Sequence, residues 1–198
     1  KEHMEIIIKN SKRLQKLSEE ILDAARIESR TLSLNLEIFD IISVIHTMIR
    51  DYVKHIDGKK VTIKLFHEND EIDLNLDLNR KERSLLVYAD KNRIHQVLSN
   101  ILINSIKFTK KGNIDIDVKK GDKRIFIRIK DSGPGIDKQI LPRLFDKFIT
   151  GSPSGTGLGL YICKNIIEAH GGTIWAENND DESKGAAFTF TLPMITQQ

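Results

Sequence analysis

Asp90-Lys91-Asn92-Arg93-Ile94-His95-Gln96-Val97-Leu98-Ser99-Asn100-Ile101-Leu102-Ile103-Asn104-Ser105-Ile106-Lys107-Phe108-Thr109 reads as one helix with two unlike faces. At 100° per residue Asn100, Asn104 and Lys107 fall within about 60° of one another, while Ile94, Leu98 and Ile101 point away. One face is core and the other is amide plus amine. Two amide oxygens a turn apart can hold a hard cation directly or through water, and a lysine one turn further can meet phosphate oxygens. A solvated helix presents such a face too, so these residues alone do not define a site.

Outward from this helix the period changes. Val61, Ile63 and Leu65 alternate with polar residues, as do Ile114, Ile116 and Val118, then Ile125, Ile127 and Ile129, and finally Phe188, Phe190 and Leu192. Alternation of this kind predicts four half-buried strands. Helical patterns cover about 91–108 and 158–170, and Asp40 is a good N-cap for a further helix running from Ile41 to Ile56, with Gly58 as its stop. The charged stretch Asn69 to Glu82 reads as a loop. Strands wet on one side and covered by helices on the other predict a mixed α/β (α+β) fold, a two-layer α/β sandwich.

Ahead of it, Ile7, Leu14, Leu17, Ile21 and Ala24 recur at sevens and threes among Lys, Arg and Glu, without Gly or Pro. They predict one long coiled-coil-like helix. Its apolar stripe needs cover: a neighbouring helix, a second copy of the chain, or its own domain. Thr31 to Phe39 reads as a short linker.

Composition excludes more than it selects. The 198 residues are 39% hydrophobic and 30% charged, and 31 Lys plus Arg against 28 Asp plus Glu leave a net charge of +3. That is too little to argue for nucleic acid. The apolar runs are far shorter than the ~20 residues that span a bilayer, and no leader with a small-residue cleavage site opens the chain. The single cysteine, Cys163, rules out an internal disulfide and a multi-cysteine zinc site, so a reducing, cytoplasmic setting is expected and any metal should have oxygen ligands. Cys163 and Trp175 are expected to be packing residues, the tryptophan against the sheet, and His95 and His170 ordinary helix residues.

Two further segments carry chemical potential. Asp131-Ser132-Gly133-Pro134-Gly135-Ile136 follows a strand; its glycines allow a tight turn with close backbone approach, and an ionised aspartate there is an acceptor only. Such a carboxylate suits the exocyclic amine of adenine and opposes the carbonyl of guanine, though an ordinary Asx turn has the same residues. Gly151-Ser152-Pro153-Ser154-Gly155-Thr156-Gly157-Leu158-Gly159-Leu160 opens into a helix, where bare N–H groups at the positive end of the dipole can take phosphates. It is not a Walker loop, because no Gly-Lys-Ser/Thr follows.

The order of these segments resembles the sensor histidine kinases of two-component systems, whose Bergerat-type ATP-binding domain is shared with gyrase, heat-shock chaperone and mismatch-repair ATPases. Their N box is similar to Asn100–Thr109, their first glycine box to Asp131–Ile136, their phenylalanine box to Leu144–Phe148 and their second glycine box to Gly155–Leu160. Gly185–Pro193 is similar to their last strand. The resemblance divides the chain into residues 1–32, the second dimerisation helix, a linker at 33–39, and a catalytic domain at 40–195.

The resemblance implies ATP and Mg2+ as cofactors. Asn104 would ligate the metal, Asn100 would support metal and phosphates, Lys107 would neutralise phosphate charge and Asp131 would read adenine. Gly133, Gly135, Ile136, Gly155, Thr156, Gly157, Leu158, Gly159, Leu160 and Thr189 would complete the nucleotide site. The implied reaction moves the ATP γ-phosphoryl group to a histidine and then to an aspartate on a response-regulator receiver domain, in a homodimer formed through the dimerisation helices. The histidine-bearing first helix is expected to be missing, since His3 lacks the adjacent acid and downstream proline of the family's acceptor. The lid between Phe148 and Gly155 is short and has no arginine, and together with the Tyr-Ile-Cys-Lys helix and the stretch from Trp175 to Asn179 it looks more similar to archaeal members than to bacterial ones. Other readings are a nucleotide-sensing scaffold without transfer and a gyrase- or chaperone-type ATPase switch, which would need a further transducer domain.

Overall fold

Strand alternation builds the larger layer. In the computed structural model, which describes residues 2–53, 60–74, 84–151, 155–179 and 185–194, the strands β2 (Lys60–His67), β3 (Asp70–Ile72), β5 (Lys111–Lys120), β6 (Arg124–Asp131), β7 (Ile174–Asn178) and β8 (Ala186–Pro193) form one sheet. Its order is β3-β2-β5-β6-β8-β7. β2 and β5 run parallel and the other neighbours antiparallel. Every second side chain, Ile114, Ile116 and Val118 on β5, Ile125, Ile127 and Ile129 on β6, Phe188, Phe190 and Leu192 on β8, is buried. These residues face the helices α2 (Ile41–Val53), α3 (Lys91–Phe108) and α4 (Gly159–Ala169), whose apolar stripes close the core. The result is the two-layer sandwich that alternation predicts.

Caps fix where the helices begin. Asp40 accepts from the Ile42 and Ser43 N–H groups and also from Leu85 N at 2.8 Å. One carboxylate therefore starts α2 and holds the chain entering β4 (Leu86–Ala89). Asp40→Ala removes the cap and strands a backbone donor; we expect a loss of about 2 kcal/mol and a fall in Tm of about 4–8 °C, read by thermal unfolding. Asp90 caps α3 by accepting from Arg93 N and receives Asn35 N as well. Its own N–H donates to His170 Nε2 at 2.9 Å, while His170 Nδ1 meets Ile166 O at 2.7 Å. His170 is thus not an ordinary helix-end residue: it is a buried tie between the end of α4 and the start of α3.

Four short strands depart from the sequence reading. Part of the presumed linker is β1 (Glu37–Asp40), which pairs antiparallel with β4 in a separate two-stranded sheet. The presumed loop at Asn69–Glu82 contains β3, hydrogen-bonded to β2; residues 75–83 lie outside the described residues, as do 54–59, where the α2 pattern was expected to run on to Ile56. Trp175 does not lie against the sheet but belongs to its edge strand β7, where it is 38% exposed and opposite Thr189.

The helix α1 (Glu2–Glu28) divides its allegiance. Met4, Ile7, Leu14 and Ile21 are exposed, while Glu20, Asp23 and Ala24 are buried and Ile27 packs on the core. Arg93 Nη1 donates to both oxygens of Asp23 at 2.9 and 2.8 Å, and Gln96 Nε2 adds a third bond. Further along, Glu28 pairs with Lys147, whose ammonium lies 5.1 Å from the Tyr161 ring centre. The last turns of the helix therefore dock on the α/β sandwich, and the exposed stripe remains outside.

Candidate active site

The end of β6 places Asp131 at the mouth of the core, 5% exposed. Its Oδ1 accepts from Gly133 N at 2.9 Å and Ala186 N at 3.4 Å, and its Oδ2 from Ser105 Oγ on α3 at 3.4 Å. Burial raises its pKa above the ordinary aspartate value, and the three donors hold that rise back. The turn that follows is locked from the end of β7. Asn178 Oδ1 accepts from Ile136 N, Asn178 Nδ2 donates to Ile136 O, and Asn179 Nδ2 donates to Asp131 O. Gly135 has φ of +83°, and a Cβ there would stand 2.8 Å from Asn178 Oδ1. A side chain at Gly185 would meet Asp131 O at 2.0 Å. Gly135 is required by its positive φ and the Asn178 side chain, Gly185 by the approach of the Asp131 backbone.

Beside this carboxylate lies an orphan. Thr109 is fully buried, and its hydroxyl has no hydrogen-bond partner among the described residues. A Cβ on Gly133 would lie 2.9 Å from Asp131 Oδ1 and 3.4 Å from that hydroxyl. A buried polar atom without a partner next to a carboxylate suits a polar ligand edge or a bridging water.

The glycine loop closes the opposite end. Gly157 has a φ of +71°, any Cβ there would sit 2.5 Å from the Phe148 carbonyl carbon, and Phe148 N donates to Gly157 O at 3.0 Å. The loop is thereby tied to the phenylalanine segment, and α4 begins at Gly159 with its first N–H groups at the loop. Thr156 Oγ1 donates to Glu20 Oε2 of α1 at 2.6 Å.

Asn100, Asn104, Lys107, Asp131, Gly135 and Ile136 line one cavity of about 550 Å³ together with Gly155, Thr156, Gly157, Gly159 and Leu160. Three stretches far apart in sequence thus meet. Three expected residues do not line it: Gly133 sits behind Asp131, Leu158 is a buried residue at the start of α4, and Thr189 points to the far side of the sheet, where it pairs with Arg128 and Trp175. Strand parity explains the last, because Phe188 and Phe190 take the helix-facing positions. Sequence reasoning missed Ser105, Thr109, Asn178 and Gly185, and missed that Arg13, Lys16 and Glu20 of α1 line the same cavity. Cys163 is fully buried, its thiol pushed up to about 12 by desolvation, which leaves it a core filler.

Among the described residues no cluster of three His, Cys, Asp or Glu could cage a metal. The oxygen donors that line the cavity include the amides of Asn100 and Asn104, one turn apart on α3, a pair that suits a hydrated hard cation brought in by phosphates.

A mixed sheet under three helices, with an amide face, a buried carboxylate and a glycine loop at one cavity, defines a Bergerat-type ATPase. Residues 89–196, more than half of the chain, match the family described as histidine kinase-, DNA gyrase B- and HSP90-like ATPase, and the chain belongs to that family. Within it the chain is a sensor histidine kinase catalytic domain: it is 34% identical over 200 aligned positions to the sensor protein SrrB of Staphylococcus aureus, covering 98% of this chain and 32% of that protein. The chain spans about a third of the length of the curated relatives it matches. Among solved structures, Acinetobacter baumannii histidine kinase AdeS superposes with a TM-score of 0.76 at 26% identity, over 98% of this chain and 84% of that one. The catalytic domain of histidine kinase ThkA, in a nucleotide-free form, gives 0.68 at 30% identity over 81% of this chain and 96% of that one. ThkA in complex with the response regulator protein TrrA gives 0.67 at 27% identity, covering 98% and 51%.

Proposed function

We propose that this chain binds ATP with Mg2+ and presents the γ-phosphoryl group to a histidine on a dimerisation helix, from which it passes to an aspartate of a response-regulator receiver domain. The convergence of Asn104 and Lys107, Asp131 and the Gly155–Gly157 loop on one cavity carries this reading. Asp131 accepts from the exocyclic amine of adenine, and Thr109, whose hydroxyl has no partner among the described residues, offers it to the same edge or to a water there. Asn104 and Asn100 would hold the cation through their amide oxygens, Lys107 would lower the charge of the phosphates, and the N–H groups at the start of α4 would take the phosphate oxygens. When bound, Mg2+ would supply neutralisation of the phosphate charge. In the transfer an imidazole nitrogen forms the N–P bond, the bond from γ-phosphorus to the bridging oxygen breaks, and ADP leaves with that electron pair. The chain's part is positioning and electrostatics.

The partner assignments are supported by the relatives: SrrB is a sensor protein, and ThkA crystallises with a response regulator. The exposed stripe of Met4, Ile7, Leu14 and Ile21 suits the homodimer seam. Among the described residues no helix is long and apolar enough to cross a membrane; a cytoplasmic site of action, where ATP is available, is part of the proposal. Mixing the chain with a separately supplied histidine-bearing two-helix domain and γ-labelled ATP should give an acid-labile phosphohistidine and ADP. ATP binding without transfer would point to the sensing scaffold.

A further inference from the structure

The cavity has a charge problem at its phosphate end. Ile149, Thr150, Gly151, Gly155 and Thr156 are neutral, as are Ser152, Pro153 and Ser154 in the sequence between them, so the lid brings no cation to a highly anionic triphosphate. From the catalytic domain, Lys107 is the one cation among the described residues that line the cavity. The other two come from α1: Arg13 and Lys16.

We propose that α1 completes the nucleotide site, with Arg13 and Lys16 contacting the terminal phosphate in place of a lid arginine. The proposal rests on the ATP reading above and adds to it the residues that tell a triphosphate from a diphosphate. Positions 13, 16, 17 and 20 follow the i, i+3, i+4, i+7 spacing of one helical face, and all four line the cavity. Glu20 sets their register. It is 5% exposed, its Oε2 accepts the Thr156 hydroxyl at 2.6 Å, and its Oε1 lies 3.8 Å from Lys16 Nζ. The carboxylate thus pins the helix to the phosphate loop, with the ammonium one turn back and the guanidinium two turns back, about 10 Å along the axis. Both cations sit on long, exposed stems able to turn inward, and the guanidinium fork matches phosphoryl oxygens. The Asp23–Arg93–Gln96 bonds anchor the next turn and keep this wall in place.

The test uses the whole chain in the presence of Mg2+, comparing wild type with the Arg13→Ala/Lys16→Ala double variant by calorimetric titration of ATP and ADP. ATP should bind about tenfold or more weakly to the variant, while ADP changes by less than about threefold; retained ADP binding also shows that the fold and the adenine end are intact. The wild-type affinity for ATP should fall with added salt more steeply than the variant's. An unchanged ATP affinity, or equal losses for ATP and ADP, would overturn the proposal. Failure of the wild type to bind either nucleotide would overturn it together with the ATP reading beneath it, a result distinguishable from a defect confined to α1.

Discussion

Asp131→Asn should lower ATP affinity by about two orders of magnitude, about 3 kcal/mol, and leave the fold standing. The exchange is isosteric. An amide oxygen in the place of Oδ1 keeps the bonds from Gly133 N and Ala186 N, and the new NH2 can donate to Ser105 Oγ, which now donates to Oδ2. Facing the ligand, however, that NH2 opposes the adenine amine, donor against donor. Thermal unfolding should show no loss of stability, and the sign follows from the raised pKa. A carboxyl whose folded value lies above its unfolded one contributes stability below the unfolded value and loses it as pH rises through the folded one. At neutral pH the ionised Asp131 therefore works against the folded state, and its neutral substitute does not. Binding runs the other way: ATP needs the ionised form, so wild-type affinity falls as pH drops through a value above the ordinary aspartate range, and Asp131→Asn loses that limb. Titrations of ATP across pH check both statements; equal affinity of the two proteins for ATP would refute them.

Asn104→Ala separates recognition from transfer. The side chain lines the cavity one turn from Asn100, and Asp131 takes its hydrogen bonds from Gly133, Ala186 and Ser105 with none from Asn104, so adenine recognition through Asp131 should persist. If Asn104 holds the cation as proposed, its loss should slow phosphoryl transfer to a supplied histidine domain by about a thousandfold, about 4 kcal/mol of barrier, because a bound metal ion contributes several kcal/mol of charge stabilisation. Single-turnover measurements at saturating nucleotide read this directly. A transfer rate near that of wild type would remove Asn104 from the metal site.

Both residues were legible in the sequence because their signals are local. Asn100, Asn104 and Lys107 announce themselves by helical spacing, and Asp131 by the glycines that follow it. Asn178 and Gly185 act on Asp131 and its turn across 42 to 54 residues of chain, through bonds to Ile136 and the bulk of a missing Cβ, and no periodic pattern encodes that. The same holds for Asp23 and Arg93, 70 residues apart, whose pairing seats α1 on the domain. β5, β6 and β8 were plain from alternation over eight or more residues. β1 and β4 are four residues each and stabilise one another only once the fold brings Glu37 opposite Ala89. Thr189 is instructive in the other direction, since the parity of Phe188 and Phe190 already placed it on the outer face.

The claim that three distant segments serve one purine triphosphate is tested most directly by a crystal structure of this chain with a non-hydrolysable ATP analogue and Mg2+. The account predicts the adenine amine on the Asp131 carboxylate, the metal on the Asn104 amide oxygen and the phosphates against the Gly155–Gly157 nitrogens, with Arg13 and Lys16 at the far end. A nucleotide seated elsewhere, or one whose base avoids Asp131, would contradict it.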